Sequence, residues 1–285
     1  MTKPRTITLL THQYPEQTGD AVHRVVARAA AAGVTVQVTH DEVRKHGMRD
    51  GDGCVVVDEP DGETDLVLVL GGDGTILTAL RMFAARRAPV FAINYGAIGF
   101  LSTVDHGQLV DGVERALAGE YELIQMPSLA VEVGGERRIG VNDISFHRRP
   151  HSRVAVLEYL VQGEQLGRVR CDGLVASTPV GSTGYNLANA GPILAWGVEG
   201  YVVSFIAPHT LTARALVVAP GDTLSVVNAS ERDDVEVTTD GRTVTDLQPK
   251  RQLDVTFSDD EVLLAQIPGS TFYHRFRDKF GRLAW

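Results

Sequence analysis

Asp65-Leu66-Val67-Leu68-Val69-Leu70-Gly71-Gly72-Asp73-Gly74-Thr75 is the stretch that decides the fold of this 285-residue chain, because it joins an unbroken apolar run to a glycine-rich turn. An apolar run without polar alternation is typical of a strand that is buried on both faces of a parallel sheet. Residues 76–86, which follow the turn, carry apolar side chains at helical spacing. The order strand, tight turn, helix therefore predicts one unit of an open α/β sheet.

The same alternation extends through residues 1–118. Further strands are predicted at residues 6–11, 34–39, 54–57 and 89–94, and further helices at residues 20–32 and 108–118. Strands that alternate with helices favour parallel pairing, because the crossover helices cover the faces of the sheet. Residues 1–118 are therefore predicted to form an α/β domain with an open, mostly parallel sheet.

The sequence pattern changes at residue 119, and the new pattern continues to residue 265. Short runs rich in Val, Leu and Ile are separated by Gly-Gly, Pro-Gly and Asp-Gly turns, which predicts an all-β, sandwich-like domain with one helix at residues 184–190. The strand-like runs are residues 129–133, 141–146, 154–161, 201–206, 216–218, 224–227 and 235–238. The tail, residues 266–285, mixes aromatic and basic side chains and is expected to dock on the N-terminal domain.

The composition narrows the classes of ligand. Hydrophobic residues make up 44% of the chain and charged residues 22%, and the formal net charge is −9 without a cluster of Lys or Arg. Such a chain is not expected to bind nucleic acid or a membrane, so small-molecule substrates are the expected partners. Cys54 and Cys171 have no metal-binding spacing and are interpreted as reduced thiols. Because residues 6–11 are too short for a signal-peptide core, a cytoplasmic location is expected.

The glycine-rich turn after residues 65–70 is suited to bind a phosphate group. Gly72 and Gly74 let the backbone approach an anion closely, and the first N–H groups of the following helix favour negative charge. Asp73 needs a cation or a transferable proton beside a phosphate, so it is interpreted as a water-mediated Mg²⁺ partner or as a general base. Thr75 is expected to cap the helix. A Walker A lysine and a G-x-G-x-x-G pattern are both missing, so the turn is neither a P-loop nor a standard dinucleotide fingerprint. The alternative is a plain βα turn in which Asp73 and Thr75 cap the helix.

A second polar cluster lies between Asp172 and Tyr185. It combines the hydroxyl and N–H groups of Ser182 and Thr183 with the small residue Gly184, and Tyr185 offers a flat apolar face for a base. These features predict one wall of a nucleotide pocket. The alternative is a well-capped junction between a loop and a helix.

Weaker signals occur at three other positions. Asn142 and Asp143 interrupt a strand-like run, so the pair is interpreted either as an exposed edge or turn or as a ligand-binding pair. His209 is expected to be a structural or surface residue rather than a catalytic one. The histidine spacing matches no metal motif, and no metal is predicted to be bound directly by protein side chains.

Taken together, these motifs resemble the NAD kinase family. Residues 71–75 match that family's GGDGT motif, and residues 94–101 are similar to its second glycine-rich segment. Asn142-Asp143 matches its Asn-Glu/Asp pair, and residues 172–192 resemble its long glycine-rich signature. Further matches, in the family's order, are Pro208-His209 and Asp240-Gly241. GGDGT alone also occurs in lipid kinases and phosphofructokinases, whereas the whole set is specific.

The resemblance implies transfer of the terminal phosphoryl group of ATP or polyphosphate to the 2′-hydroxyl of the adenosine ribose of NAD. It also implies Mg²⁺ or another divalent cation bound with the donor phosphates, a substrate cleft between the domains, and a homodimer or homotetramer. Asp73 would be the catalytic base. The implied binding residues are Gly72, Gly74 and Thr75 at the phosphates, Phe100, Asn142, Thr183, Gly184 and Tyr185 at the adenosine, Asp143 at the ribose hydroxyls and Asp172 at the nicotinamide end.

Four positions depart from the family's usual residues: Val180, Gly184, Ala188 and Ala190. Because several of them cluster at the implied pocket, a diverged or non-catalytic NAD(P)-binding paralogue is the first alternative. A diacylglycerol-type lipid kinase is the second, and the acidic composition argues against it. The sequence leaves open whether the donor is ATP or polyphosphate and whether the acceptor is NAD or NADH.

Overall fold

The computed structural model describes residues 2–60, 63–96, 99–258, 260 and 262–281. The chain divides into two compact units. We call them unit 1, which comprises Met1–Gln125 and Val262–Trp285, and unit 2, which comprises Met126–Glu261.

The helices and strands follow the chain in this order. The helices are α1 (Gly19–Ala31), α2 (His40–His46), α3 (Asp73–Phe83), α4 (Leu109–Ala118), α5 (Tyr185–Ala188) and α6 (Phe272–Phe280). The first strands are β1 (Thr6–Thr11), β2 (Thr35–Thr39), β3 (Val55–Val57), β4 (Leu66–Gly71), β5 (Val90–Asn94), β6 (Val104–Asp105), β7 (Glu122–Met126), β8 (Leu129–Val133), β9 (Glu136–Gly140) and β10 (Asp143–Arg148). The later strands are β11 (Ala155–Val161), β12 (Glu164–Cys171), β13 (Gly173–Ser177), β14 (Tyr201–Ile206), β15 (Leu216–Val218), β16 (Leu224–Asn228), β17 (Val235–Thr239), β18 (Arg242–Leu247), β19 (Gln252–Phe257) and β20 (Val262–Gln266).

Unit 1 contains an open sheet with the strand order β3-β2-β1-β4-β5-β20-β7, and β6 also pairs with β5. Six strand pairs among the described residues of this sheet are parallel: β1 with β2, β1 with β4, β2 with β3, β4 with β5, β5 with β6 and β5 with β20. They confirm the predicted mostly parallel sheet. All six residues of β4 are buried, as expected for a strand covered on both faces. Because β7 and β20 belong to this sheet, unit 1 extends past residue 118 and begins again before residue 265.

The chain reverses its direction across this sheet between β1 and β4. Strands β2 and β3 lie on one side of β1, whereas β4 and β5 lie on the other. The N–H of His12, directly after β1, donates to the carbonyl of Leu70 in β4 at 2.8 Å, so the carboxyl ends of the two strands are adjacent. Ligands bind at such a point of reversal in open α/β sheets. The turn at residues 71–75 leaves β4 at this edge.

Unit 2 consists of two antiparallel sheets, with the strand orders β15-β14-β13-β10-β17-β18 and β12-β11-β16-β19-β8-β9. One hydrophobic core contains side chains from both sheets, for example Phe146 and Leu174 from the first and Leu157 and Val226 from the second. This arrangement confirms the predicted all-β, sandwich-like domain. The predicted helix at residues 184–190 is a single turn, α5.

Strand β10 begins at Asp143, two residues later than predicted, because the backbone before it has another partner. The N–H groups of Val141 and Asn142 donate to the carboxylate of Asp240 at 3.0 and 2.7 Å instead of to a neighbouring strand. The apolar pattern of residues 141–146 therefore includes two residues of a side-chain-stabilised turn.

The described part of the C-terminal tail belongs to unit 1. Helix α6 places the rings of Phe272 and Phe280 within 6.3 and 5.7 Å of the Phe100 ring, measured between centroids. The last four residues of the predicted tail, 282–285, lie outside the described residues. None of the helices in the described part of the chain is long and apolar enough to cross a membrane. Cys54 and Cys171 are buried free thiols.

Candidate active site

The turn between β4 and α3 is formed by close backbone contacts. A Cβ atom at Gly71 would lie 2.6 Å from Oγ1 of Thr75, and one at Gly96 would lie 2.9 Å from Cα of Gly72. The two glycine-rich segments thus approach each other at a distance that only glycine permits. Gly74 is exposed, and a Cβ atom there would meet nothing within 4 Å. The start of α3 is consequently open to an anion.

Helix α3 begins three residues earlier than predicted, and this changes the role of Thr75. The N-cap is Gly72, which makes no side-chain cap bond, and its carbonyl accepts from the N–H groups of Thr75 and Ile76. The expectation that Thr75 caps the helix is therefore wrong, since Thr75 lies inside the first turn. Its side chain instead packs against Gly71.

The carboxylate of Asp73 joins the two glycine-rich segments. Its Oδ2 accepts from the N–H of Phe100 at 2.8 Å, and its Oδ1 accepts from the N–H of Leu101 at 3.1 Å. Gly99 allows this approach, because a Cβ atom there would lie 2.0 Å from Oδ1 of Asp73. Asp73 is half-buried at the first position of α3. Ala97 and Ile98, which belong to the second glycine-rich segment, lie outside the described residues.

Phe100 presents its backbone to Asp73, whereas its ring is covered. The side chain is 4% exposed, and the ammonium of Lys279 lies 4.6 Å from the ring centroid, next to the α6 phenylalanines. The family resemblance implies that Phe100 lines an adenosine pocket. In this structure little of the ring is accessible, and the N–H is the group that reaches the site.

In unit 2, Asn142 is held from two directions. The carboxylate of Asp240 accepts from the N–H groups of Val141, Asn142 and Asp143 at 2.7–3.1 Å. On the other side, the carbonyl of Asn142 accepts from the N–H of Thr178 at 2.9 Å. Sequence reasoning recognised Asp240 only by its place in the order of motifs. Its carboxylate orients the predicted pair, Asn142 and Asp143.

Asp143 is a buried carboxylic acid. Its side chain is 7% exposed, and burial together with the nearby charge of Asp240 raises its pKa to about 7. A carboxylate with this pKa binds hydrogen-bond donors strongly, because few water molecules compete for it. A sugar hydroxyl is a donor of that kind.

The raised pKa of Asp143 predicts a pH-dependent stability. The folded protein binds the proton more tightly than the unfolded chain, so this group's contribution to stability is present below pH 4 and is lost as the pH rises toward 7. We expect Asp143→Asn to increase the free energy of unfolding by about 4 kcal/mol at pH 8 and to change it little at pH 4. Urea unfolding of variant and wild type at both pH values measures this difference. Asp254→Asn, on an exposed position of β19, is the control; an equal effect of Asp143→Asn at both pH values would contradict the prediction.

Tyr185 lies beside His147, a residue that sequence reasoning did not identify. The two rings are stacked with centroids 5.5 Å apart and an interplanar angle of 15°. His147 Nε2 is 2.8 Å from Oγ of Ser145, and burial lowers the pKa of His147, which favours the neutral ring. The period of two along β10 puts Asp143, Ser145 and His147 on one face. That alternation was the signal available in the sequence.

Asp172 lies near the opposite end of the β10–β13 pair from Asp143. His147 pairs with Gly173, whereas Asp143 pairs with Ser177. The Asp172 carboxylate accepts from Nε of Arg148 at 2.6 Å. Burial, together with the charges of Asp143 and Asp172, raises the pKa of the Tyr185 hydroxyl.

The remaining predicted site residues, and the four positions that differ from the family's usual residues, lie in α5 or in the loops beside it. Thr183 is half-buried, whereas Gly184 and Ala188 are exposed. Val180 is 3% exposed and belongs to the interior. Ala190 has a φ of 56°, a left-handed conformation that favours glycine, so this departure carries a backbone cost of roughly 1 kcal/mol. Among the described residues, no group of three or more His, Cys, Asp and Glu side chains is arranged to hold a metal ion.

Two family models match this chain. Residues 8–121 match the model of the ATP-NAD kinase N-terminal domain, and residues 141–267 match that of the ATP-NAD kinase C-terminal domain. The chain is 34% identical to an NAD kinase of Gemmatimonas aurantiaca, with 78% of each chain covered. It is 32% identical to an NAD kinase of Caldanaerobacter subterraneus, with 82% of each chain covered.

Two solved structures share the fold. The crystal structure of yeast NADH kinase complexed with NADH has a TM-score of 0.87 and 21% identity, and covers 100% of this chain and 89% of its own. The structure of an NAD kinase from Archaeoglobus fulgidus in complex with ATP has a TM-score of 0.70 and 22% identity, covering 98% and 97%. With both domain models matched in order over most of the sequence, the chain belongs to the NAD kinase family.

Proposed function

We propose that the chain phosphorylates NAD with Asp73 as the base. The terminal phosphoryl group of ATP or polyphosphate is transferred to the 2′-hydroxyl of the adenosine ribose. The observation that carries this proposal is the position of Asp73, which begins α3 at the carboxyl end of a buried parallel strand and is held by two backbone amides. A carboxylate at that point accepts a proton where the helix N-terminus favours a phosphate.

The reaction needs few groups from the protein. Asp73 accepts the proton of the ribose 2′-hydroxyl while the oxygen of that hydroxyl forms a bond to the terminal phosphorus of the donor. At the same time, the bond between this phosphorus and the donor's bridging oxygen breaks. Gly72 and Gly74 bring backbone N–H groups to the donor phosphates. Thr75, whose own N–H donates to the carbonyl of Gly72, is assigned to the same phosphates. Phosphoryl transfer depends mainly on such positioning and on neutralised charge, because its transition state is loose.

A divalent cation is compatible with this turn if the phosphates of the donor supply most of its ligands. Asp73 is the only carboxylate in residues 71–75, and its two oxygens already accept from backbone amides. Mg²⁺ takes six oxygen ligands and keeps several waters, so donor phosphates and water can supply the rest of its shell. When bound, the cation neutralises the charge on the transferring phosphoryl group.

Unit 2 supplies the residues that we assign to NAD. Asn142, Thr183, Gly184 and Tyr185 bind the adenosine, and Asp143 accepts from the ribose hydroxyls. Asp172 binds the nicotinamide end together with its partner Arg148. Phe100, whose ring is covered, contributes through the bond from its N–H to Asp73 rather than through its ring.

Tyr185 should contribute mainly to binding. One face of its ring packs on His147, and the side chain is 37% exposed, so the other face is available for a base. Stacking of a base on an aromatic ring contributes about 1–3 kcal/mol. We expect Tyr185→Ala to raise KM for NAD about tenfold with kcat within about twofold, and Tyr185→Phe to behave as wild type. Steady-state kinetics with NAD varied at saturating donor measures both; an unchanged KM for Tyr185→Ala would remove Tyr185 from the pocket.

The function is tested by NADP formation with the purified full-length chain. NAD or NADH is supplied with Mg²⁺ and either ATP or polyphosphate, so the four arms identify both donor and acceptor. We expect product in at least one arm and its collapse in Asp73→Asn. If no arm gives product while NAD raises the unfolding temperature, the chain is a non-catalytic binder. Phosphorylation of diacylglycerol in mixed vesicles would instead identify a lipid kinase.

We further propose a homodimer or homotetramer in the cytoplasm, as is common in this family. Sedimentation velocity at micromolar concentration measures the assembly, and a monomer would contradict it.

A further inference from the structure

The five residues 99–103, which we call the bridge segment, are hydrogen-bonded on two sides. On one side, the N–H groups of Phe100 and Leu101 donate to Asp73. On the other side, the carbonyls of Phe100 and Ser102 accept from Nη1 of Arg275, the first at 2.8 Å. The carbonyl of Leu101 accepts from Nε2 of Gln266 at 3.3 Å. The peptide group that joins Phe100 to Leu101 thus bonds to Asp73 through its N–H and to Arg275 through its carbonyl.

Arg275 is placed for this contact rather than for solvent. Its Nη2 donates to Oε1 of Gln266 and to Oγ of Ser270, the latter at 2.9 Å. Burial lowers its pKa to about 10, while the charges of Asp73 and Asp105 favour the charged guanidinium. A buried cation is costly unless its bonds are satisfied, so its forked geometry must match the carbonyls closely.

The rings of α6 keep Arg275 in register with the bridge segment. Phe272 and Phe280 both contact the Phe100 ring, and Phe276 lies 5.0 Å from Phe280 between centroids. Because Phe100 belongs to the bridge segment, helix α6 contacts the segment through these rings as well as through Arg275. The position of the segment is therefore coupled to α6.

We propose that Arg275 is a positioning residue for Asp73. It holds the carbonyls of the bridge segment so that the N–H groups of Phe100 and Leu101 point at the Asp73 carboxylate. A peptide group whose carbonyl accepts from a cation is a stronger donor at its N–H, since hydrogen bonds in a chain polarise one another. This inference rests on the proposed role of Asp73 as the base.

Arg275→Lys tests the inference while the charge is kept. A lysine ammonium has no planar fork, so it cannot bind both carbonyls, Gln266 and Ser270 at once. We expect kcat to fall about 10- to 100-fold, because displacement of a reacting group by about 1 Å has that effect. KM for NAD should stay within about twofold. Arg277→Lys, at an exposed position of the same helix, is the control and should leave both constants unchanged.

A double-mutant cycle separates positioning of Asp73 from general loss of structure. If Arg275 acts through Asp73, Arg275→Lys should lower the residual rate of Asp73→Asn by less than about twofold. An equal loss of rate in both backgrounds would overturn the inference, as would full activity of Arg275→Lys alone. Should Arg275→Lys unfold, Arg275→Ala titrated with guanidinium replaces it, and recovery of kcat is the expected result; failure to recover would overturn the inference. Wild-type turnover by Asp73→Asn would instead overturn the proposed base.

Discussion

Replacement of Asp73 by asparagine is expected to lower kcat for NADP formation by about 10²- to 10⁴-fold, the usual contribution of a general base. The amide has nearly the shape of the carboxylate but cannot accept the proton of the 2′-hydroxyl. The measurement is the steady-state rate with the preferred donor, together with calorimetric binding of NAD, which should be retained because unit 2 supplies the residues assigned to NAD.

The structure adds a second consequence to this replacement. Both oxygens of Asp73 accept from backbone N–H groups, whereas asparagine offers one acceptor and one donor. One of the amides of Phe100 and Leu101 must therefore lose its partner. Thermal unfolding shows whether the variant remains folded, and Asp111→Asn on α4 is the matched control, since it is an exposed carboxylate of the same unit. Wild-type-like turnover by Asp73→Asn would remove Asp73 from the chemistry.

Replacement of Gly181 by alanine is expected to be the most damaging single methyl addition in unit 2. The new Cβ atom would lie 2.0 Å from the carbonyl oxygen, 2.4 Å from the carbonyl carbon and 2.6 Å from the Cα of Asn142. These are backbone atoms, and Asp240 and Thr178 hold them on both sides. We expect a loss of about 3 kcal/mol or more in the free energy of unfolding, at the upper end of overpacking effects.

The same collision should weaken substrate binding, because Asn142 must move away from the loop that carries Thr183 and Tyr185. We expect KM for NAD to rise at least about tenfold at a temperature where the variant is folded. Gly197→Ala is the control, since a Cβ atom there would meet nothing within 4 Å and Gly197 does not have a positive φ. Equal unfolding midpoints for the two variants would show that the backbone accommodates the methyl group.

Strands and helices whose burial follows a local period were predictable from the sequence. The predicted runs 129–133, 201–206 and 216–218 coincide with β8, β14 and β15. In each case the apolar alternation or run reports which side chains face the core, and that information lies within a few neighbouring residues. The fold class followed from the order of such runs.

Elements that depend on distant partners were not predictable in the same way. Helix α2 was not predicted, because its seven residues include a single apolar side chain, Val43. It is stabilised by the Thr39 cap and by the buried Glu42, whose carboxylate accepts hydrogen bonds from Thr11 at the end of β1. Strand β20 pairs with β5 across more than 160 residues. Contacts between residues so far apart in the chain produce no local spacing pattern that can be recognised in the sequence.

The sequence by itself determined the α/β and all-β halves, the glycine-rich turn that carries Asp73, and the family to which these motifs belong. Only the tertiary structure decided that Asp240 orients Asn142, that His147 stacks on Tyr185, and that Arg275 and Asp73 hold opposite sides of the bridge segment. The physical reason is the range of the interactions. Secondary structure follows from neighbours two to four residues apart, whereas a hydrogen bond between residues 175 positions apart, as between Arg275 and Phe100, forms only after the sheet has brought their backbones together.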